Sequence, residues 1–294
     1  MVFMKGTIIL LIIFGILILT GVHGVMALSQ PGISLSSEII PQGSLGFIKI
    51  RMENGEIPQV TWMQKEISLV PNHLKTDWYG FLGVDLSVRP GRYDILVKIR
   101  PSGIEKHLKI KILDKDYGVR RLTLPKKMVD LDSRTLKRVK KESRIMKKLW
   151  NAPRSNPSWS GPFLRPVPGE VVGPFGRRSI INNQPRSSHS GIDLRAGRGD
   201  PIKAINDGRV VMRGDHFFTG LSVVIDHGGG IQSMYFHMEK IMVQQGEILG
   251  KGHIIGLVGS SGRATGPHLH WGIRINGARV DPLALTVLSR QLEE

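Results

Sequence analysis

Between residues 208 and 280 the chain is cut by glycines and polar turns into apolar runs too short for helices, alternating as strands do. Runs at 208–213, 222–226, 231–237, 254–258 and 268–275 read as strands. Asn276-Gly277, set between two alternating runs, is the dipeptide signal of a two-residue hairpin. This segment therefore predicts a β-sheet whose glycines permit tight turns or close backbone approach, which suits a cleft for an extended peptide as well as it suits plain hairpins.

Three polar signatures are set into that pattern: His189-Ser190-Gly191-Ile192-Asp193, Tyr235-Phe236-His237 and His268-Leu269-His270. In a strand, side chains at i and i+2 leave the same face, so His268 and His270 can meet one ion or one substrate. His189 and Asp193 flank a Ser-Gly turn that brings both side chains toward a common point. Catalytic zinc takes three protein ligands and keeps one position open, so four histidines and one aspartate exceed the requirement. The surplus imidazoles suit acid and base work near neutral pH.

Any one of these histidines on its own reads more simply as a hydrogen-bonded structural residue; their joint occurrence carries the functional reading. His216, His227 and His253 lack such context and read as surface or turn residues. The helical zinc pattern His-Glu-x-x-His is absent from the sequence.

From about Pro168 to Leu285 the sequence resembles the M23 (LytM and lysostaphin-like) peptidases, which cut peptide bridges in bacterial cell walls. The resemblance is carried by Gly173-Pro174-Phe175-Gly176-Arg177-Arg178, the His189 to Asp193 signature, Pro201-Ile202-Lys203-Ala204-Ile205-Asn206-Asp207-Gly208, Tyr235-Phe236-His237-Met238, Gly256-Leu257-Val258-Gly259-Ser260-Ser261-Gly262, Gly266-Pro267-His268-Leu269-His270-Trp271 and Asp281-Pro282. It implies that His189, Asp193 and His270 hold one Zn2+, while His237 and His268 flank the water and the scissile carbonyl. It also implies a zinc metalloendopeptidase acting on stem or crosslink peptides of peptidoglycan. A catalytically silent relative that regulates another wall hydrolase is the alternative; its mark would be a lost ligand, and all five positions are filled. A carrier-domain reading of 243–256 fails because Lys240 does not sit at a hairpin tip and a carrier needs no His and Asp set.

The chain has 294 residues, enough for two domains, and no cysteine, so any metal must be held by His and Asp. Residues 1–28 read as an export signal: Lys5 precedes an apolar run at 7–22, and Ala27 offers a small residue at which cleavage would end it. An uncleaved membrane anchor is the alternative. The expected location is the periplasm or cell envelope, whether secreted or anchored.

Residues 29–114 alternate in short runs around Pro41-Gln42-Gly43, Arg89-Pro90-Gly91 and Pro101-Ser102-Gly103, which predicts an immunoglobulin-like β-sandwich. It reads as a spacer, with sugar stacking by Trp62, Trp78 or Tyr79 as a lesser alternative. Both domains are thus expected to be all-β, the second a β-rich peptidase domain at 168–294 with a groove over its sheet. Between them, 115–167 reads as a short basic helical and Pro-rich linker. Asp132 or Ser133 caps its helix, Leu136, Val139, Met146 and Leu149 line one face, and basic residues fill most of the other. The formal net charge is +17. For an exported chain such charge faces anionic envelope polymers or a membrane surface beside peptidoglycan itself, and no nucleic acid is expected.

Overall fold

The structure is a computed structural model and describes residues 31–292 apart from 53–54, 124, 127–128 and 153–154. The expected signal at 1–28 lies outside the described residues. Among those described, no helix is long and apolar enough to cross a membrane.

Among the described residues the first half contains nine strands: β1 (Gly32–Leu35), β2 (Ile39–Pro41), β3 (Leu45–Arg51), β4 (Ile57–Trp62), β5 (Lys65–Ile67), β6 (Val70–Pro71), β7 (Asp77–Gly83), β8 (Gly91–Arg100) and β9 (Glu105–Leu113). They form a sheet of order β1-β3-β7-β6 and a second of order β2-β9-β8-β4-β5. Alternation aims Ile48, Ile50 and Leu82 from the first sheet, and Val60, Ile95, Val97, Ile110 and Ile112 from the second, into one shared core. Trp62 belongs to that core, its indole N–H donating to the Gly83 carbonyl at 3.0 Å. Trp78 packs at the margin of the same core and Tyr79 stacks on Phe47 at 5.6 Å, so these aromatics are engaged in packing.

The next elements are β10 (Val119–Leu122) and helix α1 (Ser133–Trp150), followed by β11 (Val171–Gly173), β12 (Arg178–Ile181), β13 (Gln184–Ser188), β14 (Ile192–Arg195) and β15 (Pro201–Lys203). Then come β16 (Gly208–His216), β17 (Gly220–Asp226), β18 (Ile231–Ile241), β19 (Ile248–Leu249), β20 (Ile254–Val258), β21 (His268–Ile275), β22 (Ala278–Val280) and helix α2 (Pro282–Leu288). The main path of the large sheet runs β11-β14-β21-β18-β17-β16-β19. Asn276 and Gly277, both at positive φ, close the β21–β22 hairpin as their sequence implied.

The segment expected to be a linker is built into the fold. Residues 119–122 form β10, which pairs in parallel with β12, and β12 pairs with β13, giving a separate three-stranded sheet. In the Pro-rich stretch after the helix, Trp159, Phe163 and Val167 are buried in the same core as the large sheet. That core also takes Phe47 and Phe81 from the first half, because β3 and β7 are covered on both faces: even-numbered side chains of β3 enter one core while Phe47 enters the other. Burying each of these rings is worth roughly 2 kcal/mol, more than an exposed ion pair supplies. Apolar packing therefore joins the two halves, and Pro31 onward is one unit.

Helix α1 begins at an Asp132 cap whose carboxylate accepts from the N–H groups of Arg134 and Thr135, both at 2.8 Å. Its C-terminal apolar residues Met146, Leu149 and Trp150 pack against Met212, Val224, Met234 and Phe236 on one face of the large sheet. Leu136 was expected on that apolar face but is 41% exposed, since the contact involves the last turns only. Arg138 leaves the free cationic face to pair with Glu142 (2.6 Å) and Asp215 (3.4 Å).

Candidate active site

Adjacent strands bring the first signature to the last. Strands β14 and β21 pair antiparallel with Asp193 opposite His270, and β18 lies beside β21 with Phe236 opposite His270. Cross-strand partners share a face, so Asp193, Phe236, His268 and His270 emerge together. Two glycines allow the approach: a Cβ at Gly173 would lie 2.2 Å from Asp193 Oδ2, and one at Gly191 would lie 2.3 Å from the Trp271 carbonyl and 2.8 Å from His270 Nε2.

His189 Nε2, His270 Nδ1 and Asp193 Oδ1 form a triangle with edges of 3.0, 3.0 and 2.9 Å. The His189 Nδ1–H donates to the Pro174 carbonyl at 3.0 Å, which leaves the Nε2 lone pair aimed at the triangle. Converging lone pairs of two imidazoles and a carboxylate repel unless a cation or a shared proton lies among them. Ligand atoms about 2.1 Å from a tetrahedral zinc stand about 3.4 Å apart, so this donor set and its spacing fit the ion after a slight opening. Burial opposes ionisation of Asp193, yet its close contacts with the His189 and His270 rings outweigh it and hold the carboxyl well below the usual carboxylate range. Burial, ahead of its neighbours' charges, lowers the His270 imidazole.

His237 and His268 stand beside the triangle with ring centroids 4.9 Å apart. His237 has a left-handed backbone, φ 63°, at an irregularity of β18 where pairing with β21 ends and pairing with β20 begins. Such a bulge re-aims a side chain, and the His237 N–H bond to the Thr219 carbonyl (2.9 Å) holds it there. The His237 Nδ1–H donates to the Ser261 carbonyl and that of His268 to the Gly266 carbonyl, both at 2.8 Å. In each ring Nε2 is thus the nitrogen left to take a proton; His268 Nε2 lies 3.8 Å from Asp193 Oδ1. Burial, then the neighbouring His270, pushes His237 down to about 4.

The five residues line a cavity of about 270 Å³. Its further walls include Ile181, Phe218 and Thr219, together with Arg120 and Arg263, which the sequence did not single out as functional. Arg120 fell in the expected linker, and nothing in its local pattern shows that β10 pairs beside β12. The loop at 215–220 is held by helix α1: Glu142 accepts from the Phe217 N–H at 3.0 Å. The Asn182-Asn183 turn lines a separate small cavity with Arg121 and Thr123 and is not among the residues lining this one.

Among the other histidines, His227 is fully buried and is no surface residue. Its Nδ1 bonds the Asp207 carbonyl at 2.7 Å and its Nε2 the Ser233 hydroxyl at 2.7 Å, a structural pairing that uses both nitrogens.

Comparison with known proteins places the same segment in a family. The model of peptidase family M23 matches residues 187–282. The DD-carboxypeptidase/endopeptidase Mpg of Neisseria meningitidis is 37% identical over 124 residues, covering 42% of this chain and 29% of Mpg. The peptidoglycan DD-endopeptidase ShyA of Vibrio cholerae is 37% identical over 112 residues, covering 36% of this chain and 26% of ShyA. The matched segment thus spans less than a third of either curated relative. A crystal structure of a putative peptidase M23 from Pseudomonas aeruginosa superposes with TM-score 0.66 at 30% identity, covering 84% of this chain and 95% of that one.

Proposed function

The chain belongs to peptidase family M23, and on that basis we propose that it is an exported, zinc-dependent endopeptidase that hydrolyses stem or crosslink peptides of bacterial peptidoglycan. The observation that carries the reading is the triangle of His189 Nε2, Asp193 Oδ1 and His270 Nδ1, with edges of 2.9 to 3.0 Å, beside two further imidazoles whose Nδ1 atoms are already tied to carbonyls. The names of Mpg and ShyA support the same class of substrate. The apolar run at 7–22 supports export, and the basic surface of helix α1 supports attraction to anionic envelope polymers or a membrane surface.

His189, Asp193 and His270 are the residues that would hold the zinc. When bound, zinc supplies a Lewis acid and makes water a stronger nucleophile near neutral pH. The remaining chemistry belongs to His237 and His268. With Nδ1 of each donating to a backbone carbonyl, the neutral rings present Nε2 lone pairs to the cavity and accept the proton of the attacking water there. The imidazolium so formed donates from Nε2 to the developing oxyanion or to the leaving amine. His237, lowered to about 4 by burial, is unprotonated at neutral pH and ready to accept. Phe236 and Ile181 present apolar surface to the cavity and restrict bulk water there.

Metal analysis of the purified protein and digestion of defined muropeptides with and without chelator test this. Stoichiometric zinc with chelator-sensitive cleavage is expected. Stoichiometric zinc with no muropeptide cut would replace the enzyme with a regulator of another hydrolase.

A further inference from the structure

Helix α1 is crowded with lysine and arginine and carries one carboxylate, Glu142. That carboxylate is turned away from solvent, its side chain 16% exposed. It faces the end of β16 and the turn that leads into β17. Glu142 Oε2 accepts from the Phe217 N–H at 3.0 Å, and Oε1 accepts from Arg138 Nε at 2.6 Å. Arg138 in turn donates from Nη2 to the Asp215 carbonyl at 3.0 Å, so one turn of the helix holds the hairpin end at two backbone positions. Hydrogen bonds to an ionised carboxylate are roughly twice as strong as neutral ones.

The held segment leads directly into the candidate active site, where Phe218 and Thr219 line the cavity. The Thr219 carbonyl, two residues past Phe217, accepts from the His237 N–H at 2.9 Å. The same hairpin end fits closely against the turn after β20. The Leu221 N–H donates to Ser261 Oγ at 2.9 Å, and a Cβ at Gly220 would lie 2.3 Å from that oxygen. Ser261 is also the residue whose carbonyl accepts from His237 Nδ1 at 2.8 Å. Both anchors of His237, one on its backbone and one on its ring, therefore belong to the held segment or to the turn packed against it. The left-handed backbone of His237 depends on such anchors, because that conformation is costly for a residue with a Cβ and persists only where the surroundings impose it.

We infer that Glu142 is a positioning residue for His237: by fixing the 215–220 segment it sets the Thr219 carbonyl, and through that carbonyl it keeps the His237 ring beside His268 and the His189, Asp193 and His270 group. The effect on rate rests on the endopeptidase reading, whereas the link from Glu142 to His237 is measured without substrate. A carboxylate that only docked the helix would change stability and leave His237 as it is.

Amide hydrogen exchange by NMR on the zinc-loaded protein tests the link, with steady-state kinetics on one muropeptide in parallel. In the unmodified protein the Phe217 and His237 amides are expected to show protection within about tenfold of each other, since one local opening releases both. An unprotected Phe217 amide overturns the inference, and that comparison needs no variant to fold. Glu142→Ala, which keeps helix propensity, should speed exchange at His237 about ten- to a hundredfold, as loss of a hydrogen bond to a charged group implies, with exchange at Ile225 of β17 unchanged. Its kcat should fall about tenfold with KM within about a factor of two, because a misplaced group that acts in the transition state spares substrate binding. Glu142→Gln retains an oxygen acceptor for the Phe217 N–H and should recover most of both losses. Faster exchange at His237 with no hydrolysis by any of the proteins would uphold the link and remove the endopeptidase reading. Unchanged exchange and unchanged kcat in Glu142→Ala, with hydrolysis intact, would do the reverse.

Discussion

The ring of Phe236 lies parallel to that of His270, their planes 4° apart and their centroids 5.3 Å apart. Phe236 also belongs to the cluster that receives Met146, Leu149 and Trp150 of helix α1. The basic helix is thereby connected through one aromatic ring to a residue of the candidate metal triangle. Packing around a ligand fixes its orientation much as a hydrogen-bonding partner does.

Phe236→Ala is therefore expected to weaken zinc binding about tenfold or more while leaving a folded protein. Competition with a chromophoric chelator measures this, and unchanged zinc affinity would deny the stack a positioning role.

His237→Ala and His268→Ala should each keep zinc at the level of the unmodified protein and slow hydrolysis by about 10² to 10⁴ in kcat. Metal content and steady-state kinetics on one muropeptide check both parts. Loss of zinc from either variant would move that residue into the ligand set.

Asp85 and Arg279 join the two halves: the Arg279 backbone N–H, Nε and Nη2 donate to the Asp85 carboxylate at 2.8, 2.9 and 2.6 Å. Burial opposes ionisation of Asp85, but the bonds from Arg279 and Ser87 outweigh it and hold the carboxyl below its ordinary range. The stability this pair contributes is full above the unfolded carboxylate value near 4 and is lost as pH falls through the lower folded value. Asp85→Asn should cost about 2 to 3 kcal/mol at pH 7, read by denaturant unfolding, and a change within error would refute the clamp.

His227 titrates in the opposite chemical sense with the same pH direction. Burial lowers it to about 4, so the unfolded chain binds the proton first as pH drops from about 6.5. Stability is full above that value and declines toward pH 4, by about 3 kcal/mol from this group. Melting temperature against pH should show the decline, and His227→Gln, though less stable at pH 7, should show a shallower slope. Parallel slopes would exclude the buried imidazole as the cause.

Much of the second half was legible because its signals are local. The i, i+2 spacing of His268 and His270 requires only that the segment be a strand, and Asn276-Gly277 requires only positive φ at two adjacent residues. The Asp132 cap likewise depends on N–H groups two and three residues away. The segment at 151–167 misled for a related reason: its prolines and serines argue against helix and strand, and none is assigned at 155–167, but irregular backbone says nothing of burial, and Trp159 and Phe163 go into the core.

Short-range periodicity was enough to locate the strands that carry the His and Asp signatures, and the ordered motifs carried the M23 resemblance. The tertiary structure alone decided that β10 lies beside β12, that β3 is covered on both faces, and that Arg120 comes within 3.9 Å of Asp193. These relations depend on pairing register between segments tens of residues apart, which many arrangements of the same alternating strands satisfy equally until the whole core is packed.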